Sequence, residues 1–181
     1  MKGQPIPIGT KTPDFSLTGT DGNVYSLSSF AYKKLLIIIF TCNHCPYVHA
    51  YEDRIKQFQR NYSERGVQIV AINSNDDSSH PEDSFERMIT RAKIKKYNFP
   101  YLRDESQETA KAFGASHTPE VFLFDQKRNL VYYGKIDDNW KQPEKVVSRY
   151  LKDAVEETLQ NKSVSVPETY AIGCTIKWKL Q

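Results

Sequence analysis

Apolar positions change their spacing several times along the chain, and each change marks an element. Leu35-Leu36-Ile37-Ile38-Ile39-Phe40 is an unbroken run rather than an alternation, so residues 34–41 read as a central strand buried on both faces. From Pro46 to Arg65 the pattern switches: Tyr47, Val48, Tyr51, Ile55, Phe58 and Tyr62 fall on one face at helical spacing, and Gly66 supplies a stop. "VQIVAIN", residues 67–73, is a second continuous run, which predicts a right-handed strand–helix–strand crossover with parallel strands. Upstream, "FSLTGTDGNVYSL" holds the turn signal Asp21-Gly22 between two alternating segments and predicts an N-terminal β-hairpin.

The second half alternates in the same way. "SNDDSSHPEDSF" is a polar loop ending in a helix start, with Ser79 or His80 as cap, Pro81 near the first turn, and Glu82 and Asp83 at the positive end of the dipole. Phe85, Met88, Ile89 and Ala92 continue the apolar face of that helix. A shorter helix spans residues 106–113 and stops at Gly114. Residues 120–125 and 130–135 flank "QKRN" as an antiparallel hairpin, and a last helix carries Val146, Val147, Tyr150, Leu151, Ala154 and Val155. This order predicts a mixed central sheet covered on both faces by helices, consistent with a thioredoxin-like α/β domain over residues 1–160. Residues 161–181 form an extended tail, and Tyr170 and Trp178 argue that it packs on the domain.

Composition narrows the function. At 181 residues the chain suffices for one full core. Lys plus Arg exceeds Asp plus Glu by 25 − 22 = 3, with no basic block, so no footprint for nucleic acid is expected. No run is long enough to span a membrane, and residues 1–15 lack the apolar core of a secretory signal, so the expected setting is the cytoplasm. Three cysteines do not make a disulfide framework; in that setting a close pair points to redox or metal chemistry.

The pair is Cys42 and Cys45 in "FTCNHCPYV", at the junction of the central strand and the first long helix. A helix N-terminus stabilises a thiolate, so Cys42 is expected as the exposed nucleophile and Cys45, one turn in, as the shielded resolving thiol. A protonated His44 would add positive charge and lower the Cys42 pKa further. A zinc site built from Cys42, His44, Cys45 and His49 is disfavoured, because one short segment rarely surrounds a metal and no second ligand pair is evident; no metal or organic cofactor is expected. Thr118-Pro119, just before the strand "EVFLFD", is placed for a cis-proline opposite the sulfurs, exposing backbone groups to an incoming substrate.

"TPDFSL", "FTCNHCPYV", "VAINSND", "FPYLRDESQETAKAFGASHTPEVFLFD" and "GCTIKWK" together resemble the thioredoxin-fold alkyl hydroperoxide reductase / thiol-specific antioxidant superfamily, in its peroxiredoxin-like branch with a C-x-x-C-P-Y-V motif. The resemblance puts Cys45 where a peroxiredoxin carries its peroxide-reducing cysteine and Cys42 where it carries a threonine. Thr118-Pro119 replaces the family's peroxide-orienting arginine. It therefore implies thiol–disulfide exchange through the Cys42/Cys45 dithiol, with a thiol-dependent peroxidase as the alternative and a non-catalytic redox-responsive or metal-binding module as a third reading. The implied partners are a disulfide-containing protein or a small thiol or peroxide, and a reductant thiol system; a homodimer stays open. Thioredoxins keep a buried acid on the strand before the cysteines, absent from residues 35–39 here, so Glu120 is a candidate proton acceptor against the alternative of a solvated strand-end glutamate. Cys174, in the tail, stands either as a further resolving cysteine or as a lone thiol.

Overall fold

The computed structural model describes residues 3–180. Strand β3 (Leu35–Thr41) is buried at every position because both of its faces are covered, which is why its sequence does not alternate. It pairs in parallel with β4 (Val67–Asn73), from Leu35 opposite Val67 to Thr41 opposite Asn73. On its other side it pairs antiparallel with β7 (Glu120–Phe124), which turns into β8 (Leu130–Gly134). The hairpin β1 (Ser16–Gly19) and β2 (Val24–Ser26) extends the far edge through β5 (Tyr101–Arg103), so the seven strands run β2-β1-β5-β4-β3-β7-β8. A separate two-stranded pairing joins β6 (His117–Thr118) to β9 (Cys174–Thr175).

The alternate faces of β3 and β4 hold two cores. Leu36, Ile38, Phe40, Val70 and Ile72 pack with Phe122, Phe124 and with Ala110 and Phe113 of α3 (Glu108–Phe113). Leu35, Ile37, Ile39 and Ile69 pack with Tyr51, Ile55 and Tyr62 of α1 (Pro46–Tyr62) and Leu151, Ala154 and Val155 of α4 (Tyr150–Leu159). Helix α2 (Phe85–Lys95) adds Met88 against Ala71 and Tyr101. The mixed α/β architecture with helices on both faces and an N-terminal hairpin is the one the sequence predicted.

Several boundaries differ from expectation, each for a local reason. Helix α1 ends at Tyr62 and passes through a 3-10 turn, Ser63–Arg65, before Gly66 takes a left-handed φ of 81°. Residues 81–83 form a separate 3-10 turn, and α2 starts after Ser84, whose hydroxyl accepts the Arg87 N–H at 3.4 Å; the cap is neither Ser79 nor His80. That break frees the Asp83 side chain to point inward. The last helix starts at Tyr150, leaving Val147 81% exposed, so the predicted face is too long at its N-terminal end. The tail is fixed at both ends: Thr169 donates its N–H to the Tyr133 carbonyl at 3.0 Å, and Ile176, 3% exposed, donates to Ser116 at 2.9 Å.

Phe122 joins the layers, with its ring edge-on to Phe40 at 5.8 Å and to Phe113 at 5.5 Å. Phe122→Ala removes that shared contact and leaves a cavity, and is expected to lower the unfolding free energy by about 3–5 kcal/mol in urea denaturation. A loss under about 1 kcal/mol would show that α3 and the sheet are not coupled through this ring.

Candidate active site

Pro46 occupies the first position of α1, so the residue that caps the helix is Cys45, with extended backbone at φ −75° and ψ 124°. Cys42 lies in the loop three residues earlier. Both thiols are buried, Cys42 at 1% exposure and Cys45 at 0%, so Cys42 is not the exposed thiol the sequence suggested. Thr118 sits against both: its hydroxyl is 3.3 Å from the Cys42 sulfur, and its carbonyl accepts the Cys45 thiol at 3.2 Å. The Thr118-Pro119 peptide is cis. Cys174 completes the cluster, packing with Cys42, Cys45 and Val48 from the tail.

The electrostatics separate the two central sulfurs. The Cys42 thiol and the Cys174 thiol turn towards Cys45 and, with the backbone N–H groups of Val48 and Cys174, hold the Cys45 thiol well below the ordinary thiol range despite its burial. Cys42 is pushed up, by its position beside the Cys45 sulfur, by burial and by the negative charge of Asp83. Of the two, Cys45 has the surroundings that favour a thiolate. The Thr118 carbonyl can accept only from the neutral Cys45 thiol, so ionisation gives up that hydrogen bond. Cys174 lies at about 11, raised by burial and by Cys45.

The loop holding Cys42 is fixed by a buried polar network that sequence reading did not assemble. Asp83, fully buried, takes four hydrogen bonds: Asn43 N–H at 2.6 Å and Asn73 Nδ2 at 3.1 Å on Oδ1, and His44 Nδ1 at 2.5 Å and Asn75 Nδ2 at 2.9 Å on Oδ2. Asn43 also binds the Glu82 carbonyl at 2.7 Å and accepts from Tyr101 Oη at 2.9 Å. His44 therefore spends Nδ1 on a carboxylate rather than on sulfur. The sequence reading found no buried acid on β3 and offered Glu120 as a replacement; Asp83, from a different segment, is a second buried acid, and it is the one hydrogen-bonded to the cysteine loop. The available clues were the polar "SNDD" and "PEDSF" stretches, where Asn75 and Asp83 were indistinguishable from solvated loop residues.

Cys42, His44 and Asp83 bring one ligand atom each to within 4.8 Å of one another. A soft sulfur, an imidazole and a carboxylate suit a zinc-like ion by type. The second contributor beyond residues 42–49, which sequence reading did not find, is thus Asp83. Each of the three already has a hydrogen-bond partner, Thr118 for Cys42 and each other for His44 and Asp83. His49 is directed away from them, to the Asn43 carbonyl at 2.5 Å. Glu120 is 3% exposed rather than solvated, and its Oε2 accepts from Ser116 N at 2.6 Å and His117 N at 3.0 Å, with burial raising its pKa. It positions the backbone entering β6.

A sheet in this order, with a dithiol at the β3–α1 junction facing a cis-proline, defines a thioredoxin-fold dithiol protein. More narrowly, the chain belongs to the Redoxin family, whose model matches residues 7–151. Chloroplastic peroxiredoxin Q of Triticum aestivum is 27% identical over 156 residues, 81% of this chain and 66% of that protein. The thiol-disulfide oxidoreductase ResA of Geobacillus thermodenitrificans is 24% identical over 123 residues, 67% of this chain and 65% of its own. The chain thus spans just under two thirds of the length of these two relatives. Among solved structures, a hypothetical protein from Sinorhizobium meliloti 1021 is 38% identical with a TM-score of 0.92, covering 98% of both chains. An uncharacterized conserved protein from Geobacillus kaustophilus is 39% identical with a TM-score of 0.91, covering 97% of this chain and 94% of its own.

The assignment of charge around Cys42 has a direct readout. In a Cys45→Ser, Cys174→Ser background, where Cys42 is the one thiol left, Asp83→Asn removes the negative charge that disfavours its thiolate. The midpoint of the iodoacetamide pH–rate profile is expected to move to lower pH. A midpoint that stays or rises contradicts the assignment.

Proposed function

We propose that the protein is a thiol–disulfide oxidoreductase that works through the Cys42/Cys45 dithiol. The observation that carries this reading is the placement of Thr118 between the two sulfurs, with its hydroxyl on Cys42 and its carbonyl on Cys45. The Cys45 thiolate attacks one sulfur of a substrate disulfide, forms a mixed disulfide and releases the first substrate thiolate. The Cys42 thiol then attacks the Cys45 sulfur, which expels the second substrate thiolate and leaves a Cys42–Cys45 disulfide. Cys42 loses its proton in that step, and the paired His44 and Asp83 are the polar groups grouped with it to accept it. The cycle closes when an external dithiol or two monothiols reduce the protein. This reverses the roles that the sequence suggested, for a reason of helix geometry: the cap is Cys45.

The same low-pKa sulfur supports a second reading as a thiol-dependent peroxidase. Cys45 would be oxidised to a sulfenic acid, releasing water or an alcohol, and Cys42 would condense with it to the disulfide. The support is the Cys45 environment together with relatives named peroxiredoxin Q. The substitution of Thr118-Pro119 for a peroxide-orienting arginine favours exchange instead.

Cys45→Ser is expected to cut insulin disulfide reduction by about 100-fold or more, the scale for losing the nucleophile of a two-step reaction. Retention of the wild-type rate would sink the proposed mechanism. Stopped-flow oxidation by hydrogen peroxide separates the readings: exchange as the main activity predicts a rate near that of a free cysteine thiolate. Oxidation orders of magnitude faster would make the peroxidase the principal function.

A further inference from the structure

We propose that the C-terminal tail is a built-in substrate strand, and that Cys174 is a third redox-active thiol which forms a disulfide with Cys45 in competition with Cys42. The inference rests on the Cys42/Cys45 redox reading and extends it to a regulatory partner within the same chain.

Three observations carry it. First, the backbone edge at His117–Thr118, where an extended substrate would pair beside the cis-proline, is already paired antiparallel with β9, with Thr118 opposite Cys174 and His117 opposite Thr175. Second, the approach is close enough to require glycine at the preceding position: a Cβ on Gly173 would stand 2.0 Å from the Thr118 carbonyl oxygen. Third, the register delivers the Cys174 side chain onto the sulfur pair, where it packs with Cys42, Cys45 and Val48 as a free thiol. A tail that merely covered the core would need none of the three together.

The segment is also built as a strap. Thr169 hydrogen-bonds Tyr133 on β8 and Lys135 just after it, while Ile176 is buried and Lys177 binds Asn75 and Gln107, so both ends are held. Between these anchors the outward side chains are free, with Tyr170 93% and Ile172 47% exposed. The strap therefore lifts as a loop while the tail stays attached. In its closed position it shuts Cys45 off from solvent, and an external disulfide reaches Cys45 only when it opens.

The chemistry balances without a further reagent. Cys45 attacks a substrate disulfide RS–SR, forming the Cys45–SR mixed disulfide and releasing RS⁻. When the strap recloses, the Cys174 sulfur attacks Cys45, breaks the Cys45–SR bond and expels the second RS⁻, while its proton passes to the released thiolate. Two electrons and two protons leave Cys45 and Cys174, two molecules of RSH form, and Cys42 remains a thiol. Thiol attack by Cys42 on that disulfide at Cys45 then regenerates free Cys174 and the Cys42–Cys45 bond, with no net change in redox state. The tail is thus covalently locked over the site in one oxidised form and released in the other.

The test uses full-length variants treated with 5,5′-dithiobis(2-nitrobenzoate), followed by alkylation and non-reducing peptide mass mapping. Cys42→Ser is expected to release a second thionitrobenzoate after the first and to yield a linked Cys45–Cys174 peptide within one chain. Cys174→Ser is expected to yield only the Cys42–Cys45 link. A Cys42→Ser protein that retains nitrobenzoate adducts on Cys45 and Cys174, or links them only between chains, overturns the proposal. Failure of Cys174→Ser to link Cys42 to Cys45 would instead count against the underlying exchange reading, so the two failures are distinct. If Cys42→Ser does not fold, Cys42→Ala, which also removes the competing thiol, decides: absence of a Cys45–Cys174 peptide within one chain overturns the proposal. Gly173→Ala, which displaces the strap without removing a thiol, is expected to speed iodoacetamide modification of Cys45 about tenfold through a larger open population. An unchanged rate refutes the shielding role of the strap.

Discussion

The carboxylate of Asp83 is the constraint around which the site is built. A buried carboxylate is tolerated only when its lone pairs are filled, and here four donors from two other segments converge on two oxygens. Asn43 and His44 belong to the cysteine loop, and Asn73 and Asn75 to the end of β4 and the residues after it. Each donor ties its own backbone to the same point, so the loop cannot shift without stranding a charge in the interior. The position of Cys42 follows from this, and the Asp83 charge adds to the neighbouring Cys45 sulfur and to burial in pushing the Cys42 thiol up.

From this anchor the division of labour between the cysteines becomes a matter of a few ångströms. Each sulfur is the strongest influence on the other; beyond that, the sulfur at the cap of α1 has Cys174 beside it, and the sulfur three residues upstream has the Asp83 carboxylate. The same C-x-x-C spacing would give the opposite polarity if the helix began one turn earlier. Pro46 rules that out, because a proline ring suits the first position of a helix and has no N–H to offer within it.

Much of this was legible in the chain. The continuous aliphatics of β3 and β4 and the helical face of α1 gave the sheet and its crossover, because burial on both faces leaves a pattern no other arrangement produces. Cys42, Cys45 and Thr118-Pro119 were found from spacing and are brought together in space. What escaped was of two kinds. Strands β5, β6 and β9 are two or three residues long, too short for any periodicity, and exist only because a distant segment supplies their partners. Asp83 escaped because an acidic residue near a helix start has an ordinary explanation in the dipole, and only the inward turn of residues 81–83 shows that it serves the site. The identity of the capping cysteine was within reach, since Pro46 announces it; the generic link between the first cysteine and the helix end obscured it.

The strap across Thr118 changes what affinity means for this protein. A tethered segment competes with outside molecules at an effective concentration on the order of millimolar, set by the span between its anchors rather than by the surroundings. Any visitor must outbid that resident before chemistry begins. On the proposed exchange reading, dilute, weakly held disulfides would be filtered out, and selectivity would arise from a threshold on occupancy.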